Sequence, residues 1–249
     1  GVNVFNDYYD ALNGTDAANT ERLFPFTGGS RFIQNGVLSL RQTLLWALAL
    51  FALVIAGGLW LIAQSGIGLF WIGLAGLLIG WAYSAPPLKL NSRGLGEVCV
   101  TLGFMLLPIG MDYLARQTFS LTPLAAGLSF GLLVSNLLYI NQFPDRSADL
   151  QAGKHHWVAR LPVQQARWGY VLMMALAYGS LPLLVASGLL PWPVLLGWLS
   201  LPLSLKATQG LLQHAGQPAQ LAPAIRQTIA AASVHGMLLA SSLVAARLL

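Results

Sequence analysis

Asn3, Asn6, Asp7 and Asp10 stand three or four residues apart, a spacing that puts them on one face of a helix. Asn141, Asp145 and Asp149 repeat the arrangement in the second half of the chain. Four carboxylates on two helix ends, Asp7, Asp10, Asp145 and Asp149, repel one another at a low-dielectric boundary unless they are protonated or neutralised by cations. Hard oxygen donors without a cysteine cluster or a paired histidine favour Mg²⁺. Because Mg²⁺ takes few protein ligands and leaves room for substrate phosphates, a diphosphate bridged by metal to both clusters suits this pattern. The plainer alternative, two solvated helix caps, is weakened by the repetition.

Basic residues follow each acidic segment: Arg22 and Arg31, then Lys89 and Arg93 in a central segment, then Lys154 and Arg160. Arginine offers a bidentate clamp for oxyanions and lysine a mobile point charge. Any one of them serves equally well as a membrane-surface anchor, but as a set they complement the carboxylates. Asn3, Asn6 and Asn141 are expected to complete the shell or to bind phosphate oxygens, with Arg22, Arg31, Lys89, Arg93 and Lys154 assisting.

Other residues read less specifically. Gly28-Gly29-Ser30-Arg31 lacks the GxxxxGK[ST] pattern of a phosphate loop and is better taken as a flexible turn. His155 and His156 diverge on a helix and lack an HExxH companion, so they read as interfacial loop. His235 lies in an apolar stretch, where packing with a hydrogen bond is expected. Asp16 and Glu97 are outer groups, and Cys99 is a small packing residue.

The elements that must position these residues follow from composition. The chain is 56% hydrophobic and 8% charged, with a mean hydropathy of +0.65, against roughly a quarter charged for a soluble domain. Apolar runs near the length needed to cross a bilayer fall at 43–64, 66–85, 95–115, 121–143, 168–187, 190–206 and 228–248. The chain therefore reads as an all-α polytopic membrane protein whose partner is the lipid bilayer.

Eleven of the thirteen Lys and Arg residues lie on one set of alternating connections, together with both acidic clusters. The positive-inside rule makes that side cytoplasmic, in a bacterial inner membrane. There is no basic patch with interleaved aromatics, so no nucleic-acid partner is expected. The opening GVNVF lacks an initiator Met and a signal-peptide pattern, so residue 1 reads as an interior position of a longer product. The polar segments 3–42 and 141–167 share a plan, which reads as a diverged repeat with halves 1–118 and 119–249 in one transmembrane domain.

NDYYD, YSAPPLKLNSRGLGE and NQFPDRSADLQAGK, in that order, resemble the UbiA superfamily of intramembrane prenyltransferases over essentially the whole chain. The resemblance is greatest to the branch that prenylates 1,4-dihydroxy-2-naphthoate in menaquinone synthesis. It implies a nine-helix bundle, of which seven spans are present and the N-terminal helices are missing. It also implies transfer of a polyprenyl group from polyprenyl diphosphate to an aromatic acceptor. Two stretches depart from the branch: NQFPD, where an Arg often precedes the Asp, and HHWVARLP, where a Thr-Leu-Ala-Val-Arg-Leu-Gly-like run is common. They leave 4-hydroxybenzoate, homogentisate or another lipid or pigment precursor open as acceptor. The allylic cation left by the diphosphate needs aromatic faces, for which Tyr8, Tyr83 and Tyr139 are candidates. A membrane transporter, the other reading, expects its charges near mid-span, whereas these sit at the ends.

Overall fold

The computed structural model describes residues 1–247, and every regular element among them is helical. Helix α1 (Val2–Leu12) and the single turn α2 (Thr15–Ala18) precede a loop that leads to α3 (Leu40–Ser65). There follow α4 (Gly68–Ser84), a 3₁₀ turn at Leu90–Arg93, α5 (Gly96–Arg116), α6 (Leu121–Gln151), the short α7 (Trp157–Arg160) and α8 (Val163–Ala186). A nine-residue 3₁₀ helix, Trp192–Ser200, runs into α9 (Leu201–His214), and α10 (Ala222–Ala245) closes the bundle.

Five helices, α3, α5, α6, α8 and α10, are long and apolar enough to cross a membrane. The 66–85 run is also helical, at 17 residues. The 190–206 run differs from the expected single span, because Pro191, Pro193 and Pro202 deny it the amides of a continuous α-helix and it splits into the 3₁₀ segment and α9. The expected 228–248 run starts six residues early, and its last position lies outside the described residues.

Burial separates lipid-facing from central helices. Helix α3 buries only Thr43 and Ala47 and is apolar all round, as expected of a helix bathed in hydrocarbon. Helix α6 is the core of the bundle, with Leu133, Ile140 and Phe143 almost fully enclosed. Its contact with α5 depends on small residues, the usual means of close helix approach in lipid. A Cβ at Gly131 would stand 2.7 Å from the Thr101 carbonyl, and one at Gly127 3.0 Å from Met105 Cα. Hydrogen bonds join the same faces: Thr101 and Ser135 hydroxyls meet at 2.7 Å, and Ser135 donates to the Glu97 carbonyl at 2.9 Å.

His235 is fully buried in α10, with Nε2 2.8 Å from the Ser129 hydroxyl and Nδ1 3.0 Å from that of Ser200. It packs and hydrogen-bonds, tying α6 and the 3₁₀ segment to α10. Pro86 and Pro87 end α4 at Ser84, as proline geometry requires. The polar connections 13–39, 85–95 and 152–162 consequently gather at one end of the bundle.

Candidate active site

That end holds a polar cavity of about 130 Å³ lined by Asn6, Asp10, Asp16, Asn19, Tyr83, Asn91, Asn141, Gln142, Asp145, Asp149, Lys154 and His156, among others. Helix α1 supplies the first acidic group and the last turns of α6 the second. Helix α6 runs unbroken through Pro144 to Gln151, so Asn141, Asp145 and Asp149 ride on helix rather than loop.

Lys154 joins the two segments. Its Nζ lies 2.9 Å from Asp10 Oδ1 and 3.1 Å from Asp149 Oδ1, and the lysine is 9% exposed. The two carboxylates hold its pKa above the usual lysine range despite the opposing effect of burial, since an ammonium between two anions resists losing its proton.

The second oxygen of Asp149 meets His156 Nε2 at 3.0 Å. His156 Nδ1 accepts the Ala159 amide at 3.3 Å as the N-cap of α7, which leaves the ring proton on Nε2 for Asp149. His156 is therefore part of the site rather than the interfacial loop its adjacency to His155 suggests. His155 does point away, and only an N-cap pattern, polar residue then Trp-Val-Ala-Arg, marked His156.

Asp145 is gripped from the first segment: Asn19 donates to Oδ1 at 2.6 Å and the Gly28 amide to Oδ2 at 3.4 Å. Asn6 donates to Asp10 at 3.0 Å and accepts from Ser84 at 2.7 Å and Asn91 at 3.1 Å. Asp16, read from sequence as an outer group, lines the cavity itself. Burial, reinforced by Asp10 and Asp7, pushes its pKa up to about 7.

Other expected residues lie elsewhere. Asp7 turns to the rim, 3.5 Å from the Ser30 amide. Gly29 has φ +66°, and a Cβ there would meet Asp7 at 3.0 Å and Asp16 at 3.1 Å, so the Gly-Gly turn has a steric reason. The remaining basic candidates are not brought to the cavity lining. Arg31 satisfies the carbonyls of Asp16 and Asn19 at 2.9 and 3.2 Å. Arg22 lies over the Phe24 ring, Arg93 donates to the Pro87 carbonyl, and Lys89 is exposed. These arginines order the loops around the site, leaving Lys154 as the basic residue of the set that lines the cavity.

Tyr139 is also absent from the cavity lining: it is buried between α6 and α8 and donates to the Ala166 carbonyl at 2.7 Å. Tyr8 lies edge-on to Tyr9. Tyr83 differs, because it lines both the polar cavity and a second, apolar one of about 520 Å³. That second cavity runs between α1, α3, α4 and α5 past Phe51, Ile72, Val100 and Phe104, with Asn3 at its edge.

The chain matches the sequence profile of the UbiA prenyltransferase family over residues 1–227. The chain belongs to the UbiA prenyltransferase family. As a family member it is a membrane-embedded transferase. It is 28% identical to 2-carboxy-1,4-naphthoquinone phytyltransferase of Synechocystis, over 88% of this chain and 69% of that protein. It is 24% identical to 1,4-dihydroxy-2-naphthoate octaprenyltransferase of Bacillus subtilis, over 97% and 76%. It is 28% identical to the protein of that name in Mycobacterium tuberculosis, over 98% and 80%. No solved structure matches significantly. Membership of the family implies a prenyl diphosphate donor and an aromatic acceptor.

Proposed function

We propose that this UbiA member transfers a polyprenyl group from polyprenyl diphosphate to 1,4-dihydroxy-2-naphthoate in menaquinone synthesis. The reaction uses Mg²⁺ at the cytoplasmic face of a bacterial inner membrane. The observation that carries the reading is Tyr83 as a shared wall of the polar and apolar cavities. A polyprenyl diphosphate has the same two halves, and its reactive allylic carbon lies where they join. The names of the relatives support the naphthoate acceptor. The basic residues gathered at the site's end of the bundle support the cytoplasmic side.

The donor set fits Mg²⁺. Among the described residues no three His, Cys, Asp or Glu groups are close enough to hold a metal on their own, so an ion here needs further oxygens from amides, substrate phosphate or water. Asn19 Oδ1 and Asn141 Oδ1 are buried without partners while their nitrogens are committed to Asp145 and the Phe26 carbonyl. These are hard oxygen donors beside hard carboxylates. Asp10, Asp145 and Asp149 would share the ion with the free Asn19 and Asn141 oxygens and with substrate phosphate, with Asp16 and Asn6 beside them; Asp7 at the rim and Asn3 at the apolar cavity stand farther off. When bound, the ion neutralises the diphosphate as a leaving group.

The chain's residues do the rest. Lys154 places an ammonium between the two acidic segments, where it can follow the charge that develops on the departing oxygen. The Tyr83 ring offers its face to the allylic carbon as positive charge grows there. The apolar cavity keeps water from that carbon and holds the isoprenoid tail. An acceptor ring carbon bonds to the allylic carbon as the carbon–oxygen bond breaks and diphosphate leaves, and the ring regains aromaticity by losing the proton or CO₂ carried by that carbon. The quinone profile of a strain lacking the full-length gene tests the assignment: menaquinone should disappear, and an unchanged profile would refute it.

A further inference from the structure

Glu97 and Gln142 form a buried pair for which the site described above has no use. Gln142 Nε2 donates to Glu97 Oε1 at 2.7 Å. A carboxylate only accepts, so this contact fixes the orientation of the amide and leaves Gln142 Oε1 as an acceptor. Neither Gln142 Oε1 nor Glu97 Oε2 has a hydrogen-bond partner, although both are buried. Two orphaned acceptors side by side are costly in a protein interior and call for donors. A diphosphate brings none. A ring hydroxyl brings one.

Their place in the fold agrees. Gln142 shares a face of α6 with Asp145 and Asp149, one and two turns deeper into the bundle, about 4–5 and 10 Å along the axis. It lines the polar cavity together with Tyr83 and Leu138. Glu97 opens α5, and a Cβ at the preceding residue, Gly96, would touch Leu138 at 3.3 Å and Tyr83 at 3.7 Å. The pair therefore stands beside the tyrosine common to both cavities, below the level proposed for the diphosphate.

We infer that Gln142, its amide held by Glu97, accepts the hydroxyl of the aromatic acceptor and so orients its ring toward the allylic carbon. The inference rests on the function proposed above. Gln142 determines specificity by accepting from that hydroxyl directly. Glu97, which lines neither cavity, acts through Gln142 by holding its amide in place.

The test uses the full-length protein in membranes, with prenyl transfer measured against acceptor concentration for Gln142→Leu, Gln142→Met and Glu97→Gln. Each should raise the KM for the hydroxylated acceptor about tenfold, as expected for a lost hydrogen bond to a buried group. The KM for donor and the affinity for Mn²⁺, read by electron paramagnetic resonance, should not change. An acceptor methylated at that hydroxyl should bind wild type poorly and the Gln142 variants no worse. An unchanged acceptor KM overturns the inference, as does a fall in Mn²⁺ affinity, which would make the pair a cation site. If Gln142→Leu does not fold, Glu97→Gln, which keeps the volume, decides alone. Wild-type protein that prenylates a different hydroxylated ring refutes the naphthoate assignment only, and the same comparison is then run on that ring.

Discussion

Lys154 Nζ lies 2.9 Å from Asp10, joining residues more than half the chain apart in sequence. The same ammonium reaches Asp149 at 3.1 Å, so one side chain holds the first acidic segment against the second. Removing it should leave two buried carboxylates facing each other without a cation. Lys154→Met is expected to lose transfer activity by a factor of 100 or more, since an electrostatic stabiliser of the leaving group is worth about 3 kcal/mol. Its Tm should also rise more than that of wild type when Mg²⁺ is added, because a bound cation supplies what the lysine did. Equal Mg²⁺ shifts in the two proteins would count against a role for Lys154 in neutralising the clusters.

His156 has two separable jobs, capping α7 and donating to Asp149. Thr can keep the cap but cannot reach Asp149, and Ala can do neither. His156→Ala should therefore melt below His156→Thr by about 1 kcal/mol of stability. Both should show the same loss of activity, on the order of tenfold, from a loosened Asp149. Thermal melts and initial rates on the same preparations separate the effects, and full activity in His156→Thr would show that the Asp149 contact is dispensable.

Burial, with Asp10 and Asp7 nearby, raises the pKa of Asp16 to about 7. The unfolded chain loses this proton near pH 4 and the folded chain keeps it to about pH 7. Between those limits the folded state binds more protons, so stability falls as pH rises. In metal-free buffer Asp16→Asn should be the more stable protein at pH 8, by roughly 2–3 kcal/mol. At pH 4 the two should be nearly equal, and Mg²⁺ should narrow the gap at pH 8. Urea or thermal unfolding in detergent at the two pH values checks the sign.

Gly131 faces the Thr101 carbonyl so closely that a Cβ would lie 2.7 Å from it. Gly131→Ala must push α5 from α6 and should cost about 1–3 kcal/mol, whereas Gly103→Ala, with open space around it, should be neutral or slightly stabilising. Comparable melting points for the two variants would contradict the close α5–α6 contact.

Much of this architecture was legible in the sequence because a lipid environment makes hydropathy nearly decisive. Long apolar runs became helices, and the Asp/Asn spacing on α1 and α6 put Asp10, Asp145 and Asp149 around one cavity with Lys154. The 190–206 stretch reads as one uniform span, whereas its prolines divide it into a 3₁₀ segment running into α9, a change of helix type to which hydropathy is blind. Arg22, Arg31 and Arg93 lie outside the cavity lining, against the Phe24 ring and loop carbonyls, and sequence does not distinguish a guanidinium so placed from one turned toward a phosphate. His156 reads from sequence as interfacial loop and Glu97 as an outer group, and nothing marks Asn19 or Gln142, because their contacts depend on partners from distant segments that no local spacing encodes.

The central claim is that the two acidic segments act as one site for a prenyl diphosphate. Its most direct test is transfer of a labelled polyprenyl group to 1,4-dihydroxy-2-naphthoate by membranes containing the full-length protein, with Asp10→Ala and Asp145→Ala as separate variants. Wild type should show Mg²⁺-dependent transfer, and each variant should lose it almost completely. Undiminished transfer in either variant would contradict the claim.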